Sequence, residues 1–310
     1  MNRPNGTSPH HFVYVGAERE KIHDPAFLST KAFDGAQVRY TWRMLEPKEN
    51  VYDFSPIQED LDFLKAHGKR LFVQLADATF SAEFKCVPRY LLDDPRFHGG
   101  MDKQSEGDRV LGWVARRWDK AVRERYQSLL RKLGKAFDGK LEGINLPETS
   151  VDIPESGPLR PKDFTETGYR DALLDNMAAL KRAFPRSVTI QYANFMPGEW
   201  LPGDNKGYLR SIYTGAAKLG VGVGGPDLLP YRPGQMAHSY PLIAQAPGRI
   251  PKGIAVQDGN YSSVNPKTGK AYSLDELLHF ATNYLKVDYI FWCTEEPYYS
   301  TQLIPFLKKR

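Results

Sequence analysis

Glu148 stands in the run Gly143-Ile144-Asn145-Leu146-Pro147-Glu148-Thr149-Ser150, just past a short apolar stretch. A carboxyl in that position is partly withdrawn from water, so it holds its proton closer to neutral pH, as a general acid must. The bland reading is a Glu that caps a helix or pairs with a cation in a loop. Acid-assisted bond cleavage needs a second group, and three carboxylates follow later apolar stretches. They are Asp227 in Gly224-Gly225-Pro226-Asp227, Asp258 in Gln257-Asp258-Gly259-Asn260-Tyr261, and Glu295 in Trp292-Cys293-Thr294-Glu295-Glu296. Against these stand a turn-closing side chain for Asp227 and a solvated loop or helix cap for Glu295.

The residues around them are of one chemical kind. Arg39, Gln74, Asn145, Asn194 and Gln257 offer a guanidinium fork and amides, the groups that bind hydroxyls. Trp42, Trp200 and Trp292 offer flat faces that can stack on a sugar ring, although aromatics more often fill cores. Lys is missing where a Schiff-base enzyme would need it. The seven histidines lack HxH and HExxH spacing, and Cys86 and Cys293 form neither a disulfide framework nor a zinc motif. Neither a metal centre nor a cofactor is therefore expected. A phosphate-binding alternative would rest on Gly222-Val223-Gly224-Gly225 and would not depend on Glu148.

What must position these groups is a regular alternation of short β-branched or aromatic runs with amphipathic stretches, the pattern of βα units around a parallel sheet. Strands are read at His11–Glu18, Gln37–Trp42, Arg70–Ala76, Leu141–Leu146, Ser187–Ala193, Gly220–Val223, Gly253–Gln257 and Asp288–Trp292. The helices between them are read near Pro25–Phe33, Ser55–His67, Trp118–Phe137, Tyr169–Phe184, Tyr208–Leu219, Gln235–Gln245 and Leu274–Leu285, with Gln302–Lys308 last. Eight such units favour a single (β/α)8 barrel, an α/β fold, over an open doubly wound sheet, whose first strand would be followed by a glycine-rich phosphate loop. Residues 11–310 form that barrel, and residues 1–10 read as a disordered or extended N-terminal segment. The long excursion from Phe80 to Arg117 reads as one wall of a cleft.

The 310 residues carry a net charge of +5, and their basic helical segments alternate with acids, as on a solvated helix face. No nucleic-acid partner is expected, and no apolar run reaches the ~20 residues of a membrane span. The start lacks the apolar stretch of a signal peptide. The compartment is cytoplasmic on that reading, or secreted or periplasmic if a leader has been trimmed. The oligomeric state stays open.

The stretch Val38–Leu75, VRYTWRMLEPKENVYDFSPIQEDLDFLKAHGKRLFVQL, resembles the second and third βα units of clan A glycoside hydrolases, particularly families 42, 5 and 39. The likeness lies in an Arg on strand two, a Trp, and an EP-to-YDF turn before the helix. Pro88-Arg89-Tyr90-Leu91 and Glu148 are similar in placement, so the resemblance spans roughly half of the chain. It implies a retaining β-glycosidase whose acid/base is Glu148. Two positions depart from the pattern. Pro147 stands where the clan has Asn, with Asn145 further back, and strand seven ends in Gln257-Asp258 where the clan has its nucleophilic Glu. The second carboxylate is left open among Asp258, Asp227 and Glu295. Carboxyls ~5–5.5 Å apart would act by nucleophilic attack and ~6.5–9.5 Å apart by inversion. The expected partner is a carbohydrate, an oligo- or polysaccharide cleaved at its O-glycosidic bonds. The alternative is a barrel that has lost the second carboxylate and only binds carbohydrate.

Overall fold

The computed structural model describes residues 8–310. Its main sheet has eight parallel strands: β1 (His10–Tyr14), β2 (Phe33–Thr41), β3 (Arg70–Ala76), β4 (Gly143–Leu146), β5 (Val188–Tyr192), β6 (Gly222–Gly225), β7 (Lys252–Val256) and β8 (Tyr289–Cys293). They close in the order β1-β8-β7-β6-β5-β4-β3-β2, so every strand has two neighbours and the sheet has no edge. The architecture is the expected (β/α)8 barrel. Of the predicted N-terminal segment, residues 1–7 lie outside the described residues.

The long helices follow from their apolar periodicity and caps. In α1 (Ser55–Ala66), Pro56 lies in the first turn, and Gly68 follows the end at φ +68°. In α2 (Lys120–Phe137), Val122, Tyr126, Leu129, Leu130, Leu133 and Phe137 make one buried stripe. The Asp119 carboxylate accepts from the Val122 N–H at its start (3.0 Å). Helices α3 (Glu166–Ala183) and α4 (Tyr208–Leu219) complete the wall beside the fourth to sixth strands.

The barrel interior is graded. Near its middle Phe12, Phe72 and Phe291 pack ring to ring, with centroids 4.9–6.0 Å apart. Above this plug the Gln37 amide donates to Asn145 Oδ1 (2.9 Å) and to the Tyr192 hydroxyl (3.1 Å). Higher still, Arg39 Nε donates to Gln74 Oε1 (2.9 Å), and its Nη2 bonds the Tyr14 hydroxyl. Polarity thus rises toward the strand C-termini, where barrel enzymes carry their chemistry.

Two readings are corrected. The sixth strand runs over Gly222–Gly225, two residues later than expected, and its glycines are there for packing. A Cβ on Gly224 would lie 2.0 Å from the Gly253 carbonyl oxygen, and one on Gly222 2.6 Å from that of Pro251. Buried in the ladder, this run is not an open phosphate cradle. The Phe80–Arg117 excursion, read as one wall of a cleft, holds a small sheet of its own. Met101–Glu106 and Arg109–Ala115 pair as an antiparallel hairpin, and Ala78–Thr79 adds a third strand beside the second of them. The first hairpin strand, MDKQSE, is too polar to show a strand pattern.

Candidate active site

Glu148 follows β4 by two residues, and its loop is tied down on every side. The Gln191 amide donates to the Pro147 carbonyl (2.6 Å). The Thr149 N–H reaches the Tyr192 carbonyl (3.1 Å) and its hydroxyl that of Phe195 (2.7 Å). Asn194, just past β5, accepts the Ser150 N–H on Oδ1 (3.2 Å), which leaves its NH2 to donate to Glu148 Oε2 (2.6 Å). The donor can only be Nδ2, because a backbone N–H cannot accept. Burial pushes the Glu148 carboxyl up to about 7, and the nearby charges of Asp227 and Asp152 act in the same direction. The Asn194 bond and the Arg117 charge oppose it.

Asp227 stands just beyond β6. Its Oδ1 accepts from Asn260 Nδ2 (3.1 Å), while Asn260 Oδ1 accepts the N–H groups of Leu228 and Gln257 (3.1 Å each). Burial raises its proton affinity too, against the Asn260 bond and the charge of Arg232. Of the three carboxylates read from sequence, Asp227 is the one whose charge raises the proton affinity of Glu148.

Asp258 and Glu295 gather elsewhere on the face. Asp258 is exposed, Glu295 Oε2 accepts the Gly259 N–H (2.8 Å), and together with Cys293 they bring ligand atoms within 4.8 Å of one another. Burial pushes the Cys293 thiol up to about 12. This grouping of Cys293 with two carboxylates, the one cluster of potential metal ligands among the described residues, leaves no sequence motif because Cys293 and Asp258 come from different strands. Arg39 lies between the two regions. Burial disfavours its charge, and the fields of Glu148 and Asp258 support it.

The remaining sequence candidates separate by burial. Trp42 has no exposed surface, and its indole donates to Glu46 Oε2 (2.8 Å) while its ring meets Tyr126 edge-on. Trp292 is equally buried and donates to His11 Nδ1 (3.0 Å). Both belong to the packing outside the barrel, so neither offers a face to a sugar. Asn145 is also fully buried, one layer below the mouth. Gln74 is buried and engaged with Arg39. Trp200 is 64% exposed and lies parallel to Phe195, with centroids 5.7 Å apart and 7° between planes. His238 holds this platform by accepting the Leu201 N–H on Nε2 (2.8 Å). Gln257 is partly exposed near the mouth.

Sequence reasoning missed Arg117 and His238. Arg117 is buried and spans Asp77, Tyr169 and the Glu148 backbone, partners 40, 52 and 31 residues away, so no local pattern marks it. Size does not mark the site either. A depression of about 1070 Å3 runs along the barrel flank past His11, Asp34, His279 and Arg310 and does not include Glu148.

No family model and no curated protein matches this chain. Among solved structures it is similar to GH5_18 from Streptomyces cattleya, crystallised as a point variant in complex with Manb1-4GlcNAc. That match has 14% identity and a TM-score of 0.56, and covers 92% of this chain and 70% of that one. A second structure of GH5_18 from the same organism, in complex with GlcNAc, matches at 15% identity and a TM-score of 0.45, over 70% of this chain and 51% of that one. The chain thus spans about half the length of that second structure. At such identities the likeness speaks for the fold, a (β/α)8 barrel shared with glycoside hydrolases.

Proposed function

We propose that the chain is a glycoside hydrolase in which Glu148 protonates the leaving oxygen and Asp227 is the second carboxylate. The observation that carries this reading is the Glu148 carboxyl at the C-terminal end of β4, raised to about 7 by burial and by the charge of Asp227. Asn194 occupies Oε2, so the proton resides on Oε1, free to meet a glycosidic oxygen. Asp227 is taken as the ionised partner: Asn260 bonds its carboxylate and Arg232 favours its charge, while its own charge raises the proton affinity of Glu148. Ionised, it stabilises positive charge developing at the anomeric carbon, either directly or through a water that it activates. Arg39 and Gln257 supply donors for hydroxyls, and Trp200 supplies an exposed aromatic face for a ring further along the chain.

The substrate panel begins with aryl β-mannosides and N-acetyl-β-glucosaminides, because a similar barrel was crystallised with Manb1-4GlcNAc, and extends to polysaccharides. Loss of a general acid lowers turnover by ~10²-fold or more, so Glu148→Gln and Asp227→Asn should each reach that loss while Asp258→Asn retains most activity. A crippled Asp258→Asn beside an active Asp227→Asn moves the second carboxylate to β7. Binding of a glycan without cleavage by the unaltered protein replaces this reading with a carbohydrate-binding barrel.

A further inference from the structure

The loop that carries Glu148 is held from behind by a buried ion pair. Arg117 and Asp77 are 4% and 1% exposed, and the guanidinium meets the carboxylate with two bonds, Nε to Oδ2 (2.8 Å) and Nη2 to Oδ1 (2.6 Å). The remaining nitrogen, Nη1, donates to the backbone carbonyl of Glu148 (2.9 Å) and to the Tyr169 hydroxyl (2.7 Å). Tyr169, from α3, passes its own proton to the Thr149 carbonyl (3.1 Å). Asp77 directly follows β3, and Arg117 ends the excursion that leaves β3 and enters α2. One guanidinium therefore joins β3, the excursion, α3 and the β4 loop at a single point.

We propose that Arg117, anchored by Asp77, is the positioning residue for Glu148, fixing the backbone of the acid from behind. This rests on Glu148 being the general acid. A buried arginine that only filled a core would not need a donor on the carbonyl of the residue proposed as the acid. All three of its nitrogens are engaged, and lysine, with a point charge and no fork, cannot reproduce it. The charged and titratable groups that act on Glu148 are Asp227 and Asp152, which favour its proton, and Arg117, which opposes it. Arg39, on β2 one strand beyond β3, feels the Glu148 charge. Removing the Arg117 charge leaves Glu148 protonated to higher pH.

The test compares Arg117→Lys with the double variant Asp77→Leu/Arg117→Met, which replaces the buried pair by apolar side chains and avoids stranding a charge. Displacing a reacting group by about an ångström can lower turnover ~10²-fold. Both variants should therefore lose 10-fold to ~100-fold in kcat with KM little changed. The alkaline limb of the pH profile should move up in the double variant and stay in place in Arg117→Lys. In parallel, the Glu148 carboxyl is titrated by 13C NMR, assigned by its loss in Glu148→Gln, and should shift upward in the double variant alone. A double variant that folds, titrates at the unaltered pH and turns over normally overturns the proposal. So does a loss that tracks only the unfolded fraction while both limb and titration stay put. If Glu148→Gln itself proves fully active, the acid reading fails. The NMR titration still decides independently whether Arg117 governs that carboxyl.

Discussion

Replacing Glu148 by Gln should stabilise the protein at pH 8 and leave its stability unchanged at pH 4. In the folded chain burial raises this carboxyl from the ordinary 4.5 to about 7, whereas the unfolded chain releases the proton near the ordinary value. Below pH 4.5 both states are protonated and Glu148 costs nothing. Between 4.5 and about 7 the folded state keeps a proton that the unfolded state has lost, so stability falls by 1.36 kcal/mol for each pH unit. Above about 7 both are ionised and the penalty stays at its full value. The interval sets a ceiling of about 3 kcal/mol, and the partial exposure of the side chain lowers the expected figure to ~2 kcal/mol. Glutamine escapes the penalty because its oxygen can still accept from Asn194 and it never ionises. Urea unfolding of both proteins from pH 4 to pH 8 reads the effect as a difference, in which every other titrating group cancels. A difference that is flat with pH, or greatest at pH 4, means that the carboxyl ionises normally and removes the basis for an acid at this position.

Three further outcomes follow from burial and contacts. Trp42→Ala should cost about 3–5 kcal/mol in urea unfolding, as for a fully buried aromatic, while Trp200→Ala should cost under ~1 kcal/mol and weaken glycan binding in calorimetry. The reverse ranking would refute the assignment of one to core and the other to platform. Gly224→Ala places a methyl 2.0 Å from the Gly253 carbonyl oxygen and should cost about 3 kcal/mol or abolish folding; a neutral result by thermal unfolding would mean that β6 and β7 lie further apart. Tyr126→Phe removes a buried hydroxyl with no hydrogen-bond partner, so stability should change by less than ~0.5 kcal/mol, and a loss above ~1 kcal/mol would show that the hydroxyl is bonded after all.

The barrel was legible because each unit is specified locally. Arg70–Ala76 is a β-branched and aromatic run bounded by glycine and a helix cap, and Tyr208–Leu219 is an amphipathic stretch closed by Gly220; both occupy the ranges expected. Glu148 could be picked out for the same reason, since the end of β4 is marked by an apolar run and a proline. Trp42 and Trp292 went astray although the sequence held the answer. With side chains alternating along a strand, an inward Arg39 puts Val38, Tyr40 and, one step on, Trp42 on the outer side. The inward Phe291 does the same to Trp292. Other features carried no such signal. The Asp77–Arg117 pair is separated by 40 residues, and the hairpin strand Met101–Glu106 buries the polar Gln104 and Ser105, so it lacks the apolar alternation that marks a strand in sequence.

The proposed division of labour between the two carboxylates rests on a symmetry and its breaking. Glu148 and Asp227 are both driven toward the protonated form by burial. Each is met by one asparagine amide, Asn194 or Asn260, whose oxygen is tied to backbone N–H groups so that only its NH2 can face the carboxylate. Each also has a cation that favours its ionised form, Arg117 for Glu148 and Arg232 for Asp227, so the effect of one carboxyl on the other makes the difference. Glu148 lies in the field of Asp227, so once Asp227 has ionised, Glu148 holds its proton more tightly. Ionisation of one carboxyl thus arms the other, as a pair serving as acid and base near neutral pH requires. Neither Asp258 nor Glu295 is among the charges that chiefly act on Glu148, and the proposal therefore takes the second group from β6 rather than from β7 as in the clan the sequence resembles.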